Sequence, residues 1–342
     1  MATTAPRVSV VMAVGPDLRF LDAAVDSVLA QEYDDLELVV IDDATGARDV
    51  FADLTRRDPR IRLLTNETNV GAATSANRGI AAARGEIIAR LDADDVAEPA
   101  HVGRLVAALD ADPGLGLVGT AVTLIDEEDR EHGVRPMPAT DLDIRWTILF
   151  HCPFFHSTVA YRRHLFDAVG GYRDHELISQ DHYLWHEMLP LTRAANLPEP
   201  LTRYRMNSHG LTAGGEAHDP RGRTHAIRER EWGRLGLTYD LYDDHPALDI
   251  SAFLRGEGIP VVSRRMPAYR SMLSALPALL TESRRRAPVR ERADRRRLAV
   301  RVMAAMVAEP PARPERRRRL AELCLAADRR AALAAGAERL SQ

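Results

Sequence analysis

The chain has 342 residues, of which 45% are hydrophobic and 28% charged, and its formal net charge is −4. This composition is typical of a globular protein with a large core, built as one domain with an appendage or as two domains. All 46 basic residues are arginines, which excludes a P-loop and Schiff-base or pyridoxal chemistry, since both need a lysine amine.

The composition also bears on location and on metal chemistry. No run of about 18 apolar residues occurs, so no membrane-spanning helix is predicted. Residues 1–6 lack the basic and apolar regions of a signal peptide. Cys152 and Cys324 lie far apart in the chain and are predicted to be reduced thiols of a cytoplasmic protein. Pairs of metal-binding cysteines are missing, which argues against structural zinc.

Strands alternate with helices in the first third of the chain. Apolar runs predict strands at 8–12, 36–41, 61–64 and 86–91, and periodic apolar residues predict helices at 18–29, 72–83 and 99–111. This alternation predicts an α/β domain whose mostly parallel sheet is covered by helices on both faces. Ligands of such sheets bind at the carboxyl ends of the strands.

Acidic residues follow two of these strands. Asp42 and Asp43 end the second, and the run from Asp92 to Asp95 follows the fourth. Since residues two apart in an extended segment point the same way, Asp92 and Asp94 are predicted to face one point, as oxygen ligands of Mg²⁺ or Mn²⁺. The alternative is a solvated turn with an aspartate that caps the next helix. Their common sheet edge favours the ligand site.

The pattern continues to about residue 212. It predicts strands at 117–125, 157–161 and 201–206, and helices at 141–150 and 180–189, the latter with Trp185 facing inward. A further helix is predicted to end at Val169, before Gly170 and Gly171. Residues 1–212 are therefore predicted to form one α/β domain, and residues 213–342 an Arg-rich, Pro-punctuated helical region.

Several short motifs stand in a defined order over 7–212, and together they resemble family 2 glycosyltransferases of the GT-A fold. In chain order they are VSVVM (8–12), SVLAQ (27–31), LELVVIDD (36–43), NVG (69–71), ANRGI (76–80), RGE (84–86), DADD (92–95), HSTV (156–159), VGGY (169–172), QDHYLW (180–185), NLPEPL (196–201) and YR (204–205). Each is weak alone, whereas the full series in register is specific.

The resemblance implies roles for particular residues. Asp43 would accept a hydrogen bond from the nucleobase of a sugar nucleotide. Asp92 and Asp94 match the D-x-D motif, which contacts the ribose and holds the divalent metal on the diphosphate. Asp181 matches the general base that deprotonates the acceptor, and direct attack on the anomeric carbon would invert its configuration.

Further residues are predicted either to contact the substrates or to have a structural position. Ala13 is placed with the substrate-binding residues, and His156 is predicted either to contact phosphate or acceptor or to be structural. Asp95 is predicted to cap a helix, and Trp185 to pack in the core. Arg78 is predicted to lie on a solvated helix face.

The chain departs from the family pattern at three places. Residues 13–16 lack the aromatic residue that family members commonly carry near the nucleobase. Gln180 replaces the glutamate before the base, which removes a negative charge beside Asp181. Asn207 stands where related enzymes place a histidine that contacts phosphate or metal, and His209 lies two residues further on.

The C-terminal residues are strongly basic. From 283 to 342 there are 17 Arg and 7 Asp or Glu, an excess of ten positive charges, so residues 1–282 carry −14. Arg clusters alternate with apolar residues at helical spacing, which predicts a helical bundle with a solvated Arg face. The alternatives are contact with an anionic membrane, an acidic partner or a homodimer interface. Nucleic acid is not predicted, because aromatic residues for base stacking are missing there.

The sequence thus predicts a metal-dependent, inverting glycosyltransferase that uses Mn²⁺ or Mg²⁺ and a nucleoside-diphosphate sugar, with a UDP-sugar favoured. Its acceptor hydroxyl or similar nucleophile could belong to a small molecule, glycan, peptide or lipid-linked sugar. The predicted location is the cytoplasm, including the inner membrane face. Two alternatives stay open: an impaired sugar-nucleotide-binding or scaffold protein, and a nucleotidyltransferase on a related fold.

Overall fold

The computed structural model describes residues 5–148, 152–173 and 180–208. The chain divides into two compact units, the first comprising Met1–Ala139 and Cys152–Thr224 and the second Thr140–His151 and His225–Gln342. The predicted boundary at residue 212, the predicted Arg-rich helices and His209 lie outside the described residues.

Nine strands and seven helices lie within the described residues. The strands are β1 (Val8–Val14), β2 (Leu36–Asp42), β3 (Ile61–Thr65), β4 (Ile87–Arg90), β5 (Val96–Ala97), β6 (Leu115–Ile125), β7 (Glu131–Arg135), β8 (Ala160–Arg162) and β9 (Arg193–Arg205). The helices are α1 (Leu21–Leu29), α2 (Arg48–Arg57), α3 (Ala72–Ala82), α4 (His101–Ala111), α5 (Asp141–Thr147), α6 (Arg163–Val169) and α7 (Gln180–Met188), and a 3-10 turn covers His156–Thr158. None of these helices is long and apolar enough to cross a membrane.

Helix α5 belongs to the second unit. Its first turn is capped by Thr140, whose hydroxyl accepts a hydrogen bond from the Asp143 backbone N–H at 3.2 Å. Asp141 and Arg145, four residues apart on the helix, form an ion pair at 2.7 Å. Of the predicted helix at 141–150, residues 141–147 are helical, and residues 149 and 150 lie outside the described residues.

The strands of the first unit form one mixed sheet in the order β3-β2-β1-β4-β8-β6-β9-β5, with β7 beside β6. β3, β2, β1 and β4 are mutually parallel, β8 is antiparallel to both of its neighbours, and β9 is parallel to β6. The predicted α/β class and parallel core are therefore confirmed. β2 and β3 lie successively on one side of β1, and β4 lies on the other side of β1, so the strand order reverses there. Ligands of such sheets bind where the strand order reverses.

The parallel strands β1, β2 and β4 are buried on both faces, whereas β3 at the sheet edge is mostly half-buried. β1 and β2 are almost continuously apolar, as expected for such strands. α3 approaches the sheet closely at Gly79, where a Cβ atom would lie 2.7 Å from a Val11 methyl carbon. The small residues of α3 thus set its distance from β1.

The structure departs from the predicted elements at several places, and β5 and β7 are among the strands that were not predicted. Helix α2 was not predicted because Phe51 and Leu54 are its only buried residues, too few to make a periodic stripe. The predicted strand at 157–161 begins as the 3-10 turn, since the Thr158 backbone N–H donates back to the Phe155 carbonyl at 3.1 Å. β9 starts eight residues earlier than predicted, because Leu197-Pro198-Glu199-Pro200 reads as a break although it pairs with β6.

Helix α7 is anchored by Trp185, which is fully buried, as its predicted inward orientation requires. Its ring lies 5.9 Å from Phe154, 5.8 Å from Tyr161 and 6.3 Å from His156, measured between ring centroids. The side chain therefore ties α7 to the segment that follows residue 152 and to β8.

We expect Trp185→Ala to lower the free energy of unfolding by about 3–5 kcal/mol, since a large aromatic side chain leaves a cavity. Urea denaturation followed by circular dichroism would measure the change. Leu191→Ala is the control because Leu191 is 54% exposed, and it should change stability little. Equal effects of the two substitutions would contradict the anchoring role.

Candidate active site

Three strands of the parallel block end at the same edge of the sheet. Val14 pairs with Asp42 across β1 and β2, and Val11 pairs with Arg90 across β1 and β4. The predicted acidic residues therefore meet at the carboxyl ends of β2 and β4, on either side of β1. Ala13, another predicted site residue, lies at this end of β1 opposite Ile41.

The Asp92 carboxylate is held by two basic side chains. His156 Nδ1 lies 3.1 Å from Asp92 Oδ1, and Arg90 Nη2 lies 3.4 Å from the same oxygen. The Asp92 backbone N–H also donates to the Ser157 hydroxyl at 3.0 Å. Burial alone would raise the pKa of Asp92, but His156 and Arg90 together hold it below its ordinary value. Asp92 is therefore an oriented, ionised carboxylate.

The contacts of His156 define its tautomer. Arg90 Nε lies 3.2 Å from His156 Nε2, and a guanidinium N–H can only donate. Tyr172 places its hydroxyl 2.7 Å from the same nitrogen. Nε2 is thus the acceptor and Nδ1 carries the proton, which it donates to Asp92. Arg90 is itself buried and fixed by a 2.7 Å bond to the Val11 carbonyl oxygen.

Tyr172 is held by the ANRGI motif, ninety-five residues earlier in the chain. Asn77 Oδ1 accepts from the Tyr172 backbone N–H at 2.9 Å, and Asn77 Nδ2 donates to the Tyr172 carbonyl at 2.8 Å. Gly171 has φ +80° and passes so close to Asn77 that a Cβ atom would lie 2.8 Å from its Oδ1. The ANRGI and VGGY motifs, which are separate in the sequence, are therefore in direct contact in the fold.

The surroundings of Asp94 shift its pKa in the opposite direction from that of Asp92. Its carboxylate accepts from Asn207 Nδ2 at 3.0 Å. Burial and then the charge of Asp92 raise the pKa of Asp94, against the bond from Asn207. Asp94 is thus a carboxylate kept close to a like charge, and a cation would stabilise its ionised form.

The prediction that Asp95 caps a helix is wrong. Asp95 is buried, and its carboxylate accepts from the Arg205 backbone N–H of β9 at 2.7 Å. The helix that follows begins only at His101, because β5 intervenes and pairs with β9. Burial, followed by the charges of Asp94 and Asp92, raises the pKa of Asp95 well above its ordinary value.

Arg205 supports the backbone of the acidic turn. Its guanidinium donates to the carbonyl oxygens of Asp94 at 2.9 Å and Asp126 at 2.8 Å, and to the Asp129 carboxylate at 2.7 Å. The guanidinium carbon also lies 4.1 Å from the centroid of the Phe20 ring. This buried arginine therefore fixes the position from which the Asp94 side chain projects.

Asp43 lies buried at the end of β2, where protein donors surround its carboxylate. It accepts from Asn66 Nδ2 at 2.7 Å and from the backbone N–H groups of Val70 and Gly71, both at 2.9 Å. Burial alone would raise the pKa of Asp43, but these donors and Ser75 hold it below its ordinary value. The carboxylate thus ties the NVG motif to β2, and its contact with a nucleobase stays a prediction.

We expect Asp43→Asn to destabilise the fold by about 1.5–3 kcal/mol near neutral pH, since an amide replaces a charged acceptor of backbone N–H groups. A depressed folded-state pKa contributes stability above the unfolded carboxyl pKa, and that contribution disappears as the pH falls through the folded value. The variant should therefore lose less stability than the wild type on acidification. Thermal unfolding between pH 3 and pH 7 would measure this. A constant difference across that range would contradict it.

Asp181 lies in the first turn of α7. Its Oδ2 is 3.5 Å from the Cys152 sulfur, a weak thiol contact. Burial raises the pKa of Tyr172, Arg90 opposes the rise, and the charges of Asp181 and then Asp92 add to it. Trp185, one turn after Asp181 on α7, has its ring centroid 6.3 Å from that of His156, the side chain that donates to Asp92, so α7 begins near the acidic turn.

Arg78 is exposed, as predicted, and donates to the Asn66 side-chain oxygen. The structure adds Arg90, Tyr172, Arg205 and Asn207 to the site. No role is predicted for these residues from the sequence, although Tyr172 and Arg205 lie within its motifs. Their contacts span up to 190 residues of chain, so neither spacing nor periodicity could reveal them.

The donor set fits a hard divalent cation that takes part of its coordination from a substrate. Among the described residues, no group of three or more His, Cys, Asp or Glu could hold a metal. Mg²⁺-type sites commonly use one or two carboxylates together with substrate phosphates and water. Asp94 and Asp92 would supply those carboxylates, and the raised pKa of Asp94 is the effect expected of two such groups without a cation.

Comparison with known proteins agrees with this geometry. Residues 9–171 match the family model "Glycosyl transferase family 2". The chain is 30% identical over 208 residues to the O-antigen biosynthesis glycosyltransferase WbnJ of Escherichia coli, which covers 59% of this chain and 80% of that protein.

Two solved structures share the fold. The mannosyltransferase PcManGT of Pyrobaculum calidifontis, in complex with GDP-Man and Mn²⁺, gives a TM-score of 0.52 at 17% identity, covering 99% of this chain and 88% of the other. TarS 1-349 of S. aureus, in complex with UDP-GlcNAc, gives a TM-score of 0.51 at 15% identity and covers 88% and 87%. The sheet, the acidic turn at its switch point and these relatives lead to one conclusion: the chain belongs to glycosyltransferase family 2.

Proposed function

We propose that the protein transfers a sugar from a nucleoside-diphosphate sugar, preferably a UDP-sugar, to an acceptor hydroxyl or similar nucleophile with inversion at the anomeric carbon. One observation carries the proposal. Asp92 and Asp94 stand at the strand ends where the sheet order reverses, and His156, which donates to Asp92, has its ring centroid 6.3 Å from that of Trp185, one turn after Asp181 on α7. Carboxylates proposed for the donor and for the acceptor would thus share one site.

The donor side would be built from the acidic turn. Asp92, oriented by His156 and Arg90, is positioned to accept from a ribose hydroxyl, while Asp94 and Asp92 would hold Mn²⁺ or Mg²⁺. When bound, the cation neutralises charge that develops on the departing nucleoside diphosphate. Asp43 would hold the NVG loop against the donor through the Val70 and Gly71 backbone, and Ala13 would line the nucleotide at the end of β1.

The acceptor side would be built on α7. Asp181 would take the proton from the acceptor nucleophile, as a carboxylate within hydrogen-bond reach can. Trp185, one turn later and fully buried, keeps the helix that carries Asp181 in place. Direct displacement at the anomeric carbon then gives the inverted product. His156 would act from within the protein, through Asp92, rather than on the acceptor.

A donor screen tests the proposal. The full chain is incubated with UDP-glucose, UDP-galactose, UDP-GlcNAc and GDP-mannose, and nucleoside diphosphate release is measured with Mn²⁺, with EDTA, and with EDTA followed by excess Mn²⁺. We expect release from one donor, lost with EDTA and restored by Mn²⁺. If no donor with Mn²⁺ is turned over or shifts the melting temperature, the proposal is wrong.

A further inference from the structure

Asn207 links Asp94 to a polar cluster on the loop after β1. Its Nδ2 lies 3.0 Å from Asp94 Oδ2 and 3.5 Å from Asp17 Oδ2, and its Oδ1 accepts from Arg19 Nη2 at 3.1 Å. The amide nitrogen can only donate and its oxygen only accept. Two carboxylates on one side and a guanidinium on the other therefore fix which way the amide points.

Arg19 is in turn held at both ends of its guanidinium. Nη2 donates to Asp17 Oδ2 at 2.7 Å, and Nη1 donates to Glu127 Oε2 at 2.7 Å. Glu127 also accepts from the Ser208 backbone N–H at 2.9 Å. The residue after Asn207 is thus fixed by the same arginine–glutamate pair, and the cluster joins the β1 loop, the β6–β7 turn and the end of β9.

We propose that Asn207, held by Arg19, is a positioning residue that orients the Asp94 carboxylate toward the donor's cation. The inference rests on the proposed function, because it concerns the carboxylate assigned there to the metal. Groups that hydrogen-bond to metal ligands set the ligands' orientation, and their loss commonly weakens metal binding about 10- to 100-fold.

The contact joins two segments that are far apart in the chain. The loop after β1 carries Asp17 and Arg19, and Asn207 follows the end of β9. The amide's oxygen is occupied by Arg19, so it acts on Asp94 as a donor and leaves the cation to the carboxylates and the diphosphate. The loop after β1 thus holds the residue that donates to Asp94.

The test measures Mn²⁺ affinity rather than turnover. Free Mn²⁺ is followed by electron paramagnetic resonance while the full chain is titrated in the presence of UDP. We expect Asn207→Leu to weaken Mn²⁺ binding about 10- to 100-fold and Arg19→Gln to weaken it less. Adding Arg19→Gln to Asn207→Leu should have no further effect, because Arg19 acts through the amide.

Arg130→Gln is the matched control. Arg130 pairs with Asp126 and Glu128 of the same turn, and 72% of its side chain is exposed. It removes the same charge as Arg19→Gln and should not weaken Mn²⁺ binding. Arg19 lies at the surface with 42% of its side chain exposed, so its variant should fold even if Asn207→Leu does not.

The possible results distinguish the positioning role of Asn207 from the proposed metal-dependent function. Wild-type Mn²⁺ affinity in both Asn207→Leu and Arg19→Gln would overturn the positioning role while the proposed function stands. Equal weakening by Arg19→Gln and Arg130→Gln would show a general charge effect and also overturn it. If the wild-type chain itself binds no Mn²⁺ with UDP present, the metal-dependent function fails and the inference fails with it.

Discussion

Replacing Asp181 with asparagine is expected to slow sugar transfer by about 10²- to 10⁴-fold, the usual worth of a positioned general base. The amide matches the carboxylate in shape but cannot take the acceptor proton. Because Asp181 faces the acceptor rather than the donor in the proposed site, UDP affinity should stay within about twofold. The measurements are initial rates with the acceptor identified after the donor screen, and UDP titration by calorimetry.

The control for Asp181 is Asp167→Asn, the same chemical change at an exposed position of α6. Its transfer rate should equal the wild-type rate. If Asp181→Asn transferred sugar at the wild-type rate, another group would have to be the base. A loss of UDP binding in that variant would instead assign Asp181 to the donor side.

Replacing Asp94 with asparagine is expected to lower transfer by about 10²- to 10³-fold, the size seen when one electrostatic stabiliser of a developing charge is removed. The variant should also need much more Mn²⁺ to reach half its maximal rate. Its stability should equal or exceed that of the wild type, since the substitution removes a like charge beside Asp92 whose effect raises the pKa of Asp94.

Two measurements test the metal-binding role of Asp94. One is the transfer rate as a function of Mn²⁺ concentration, and the other is stability by urea denaturation. Asp53→Asn, on the exposed face of α2, is the control and should leave both measurements unchanged. A variant at Asp94 that is inactive and also strongly destabilised would indicate a structural carboxylate. An active variant with unchanged Mn²⁺ dependence would remove Asp94 from the metal site.

The acidic turn shows how far sequence reasoning reached. Alternating strands and helices predicted the parallel block and predicted that the acidic residues after β2 and β4 lie at one sheet edge, which the pairing of β1 with β2 and β4 confirms. Asp95 shows the limit. Two more carboxylates lie within three residues of it, so only the approach of β9, 110 residues later, distinguishes it from its neighbours.

The amino-acid sequence by itself determined the α/β class, seven of the nine described strands and the family, because these depend on local periodicity and on short motifs. β5, with two residues, and β7, whose five residues are all exposed, carry no such pattern. Only the tertiary structure decided which side chains orient those carboxylates. Asn77 reaches Tyr172, Tyr172 reaches His156, and His156 reaches Asp92. Hydrogen bonds act over about 3 Å, so each link exists only once packing has brought distant segments together.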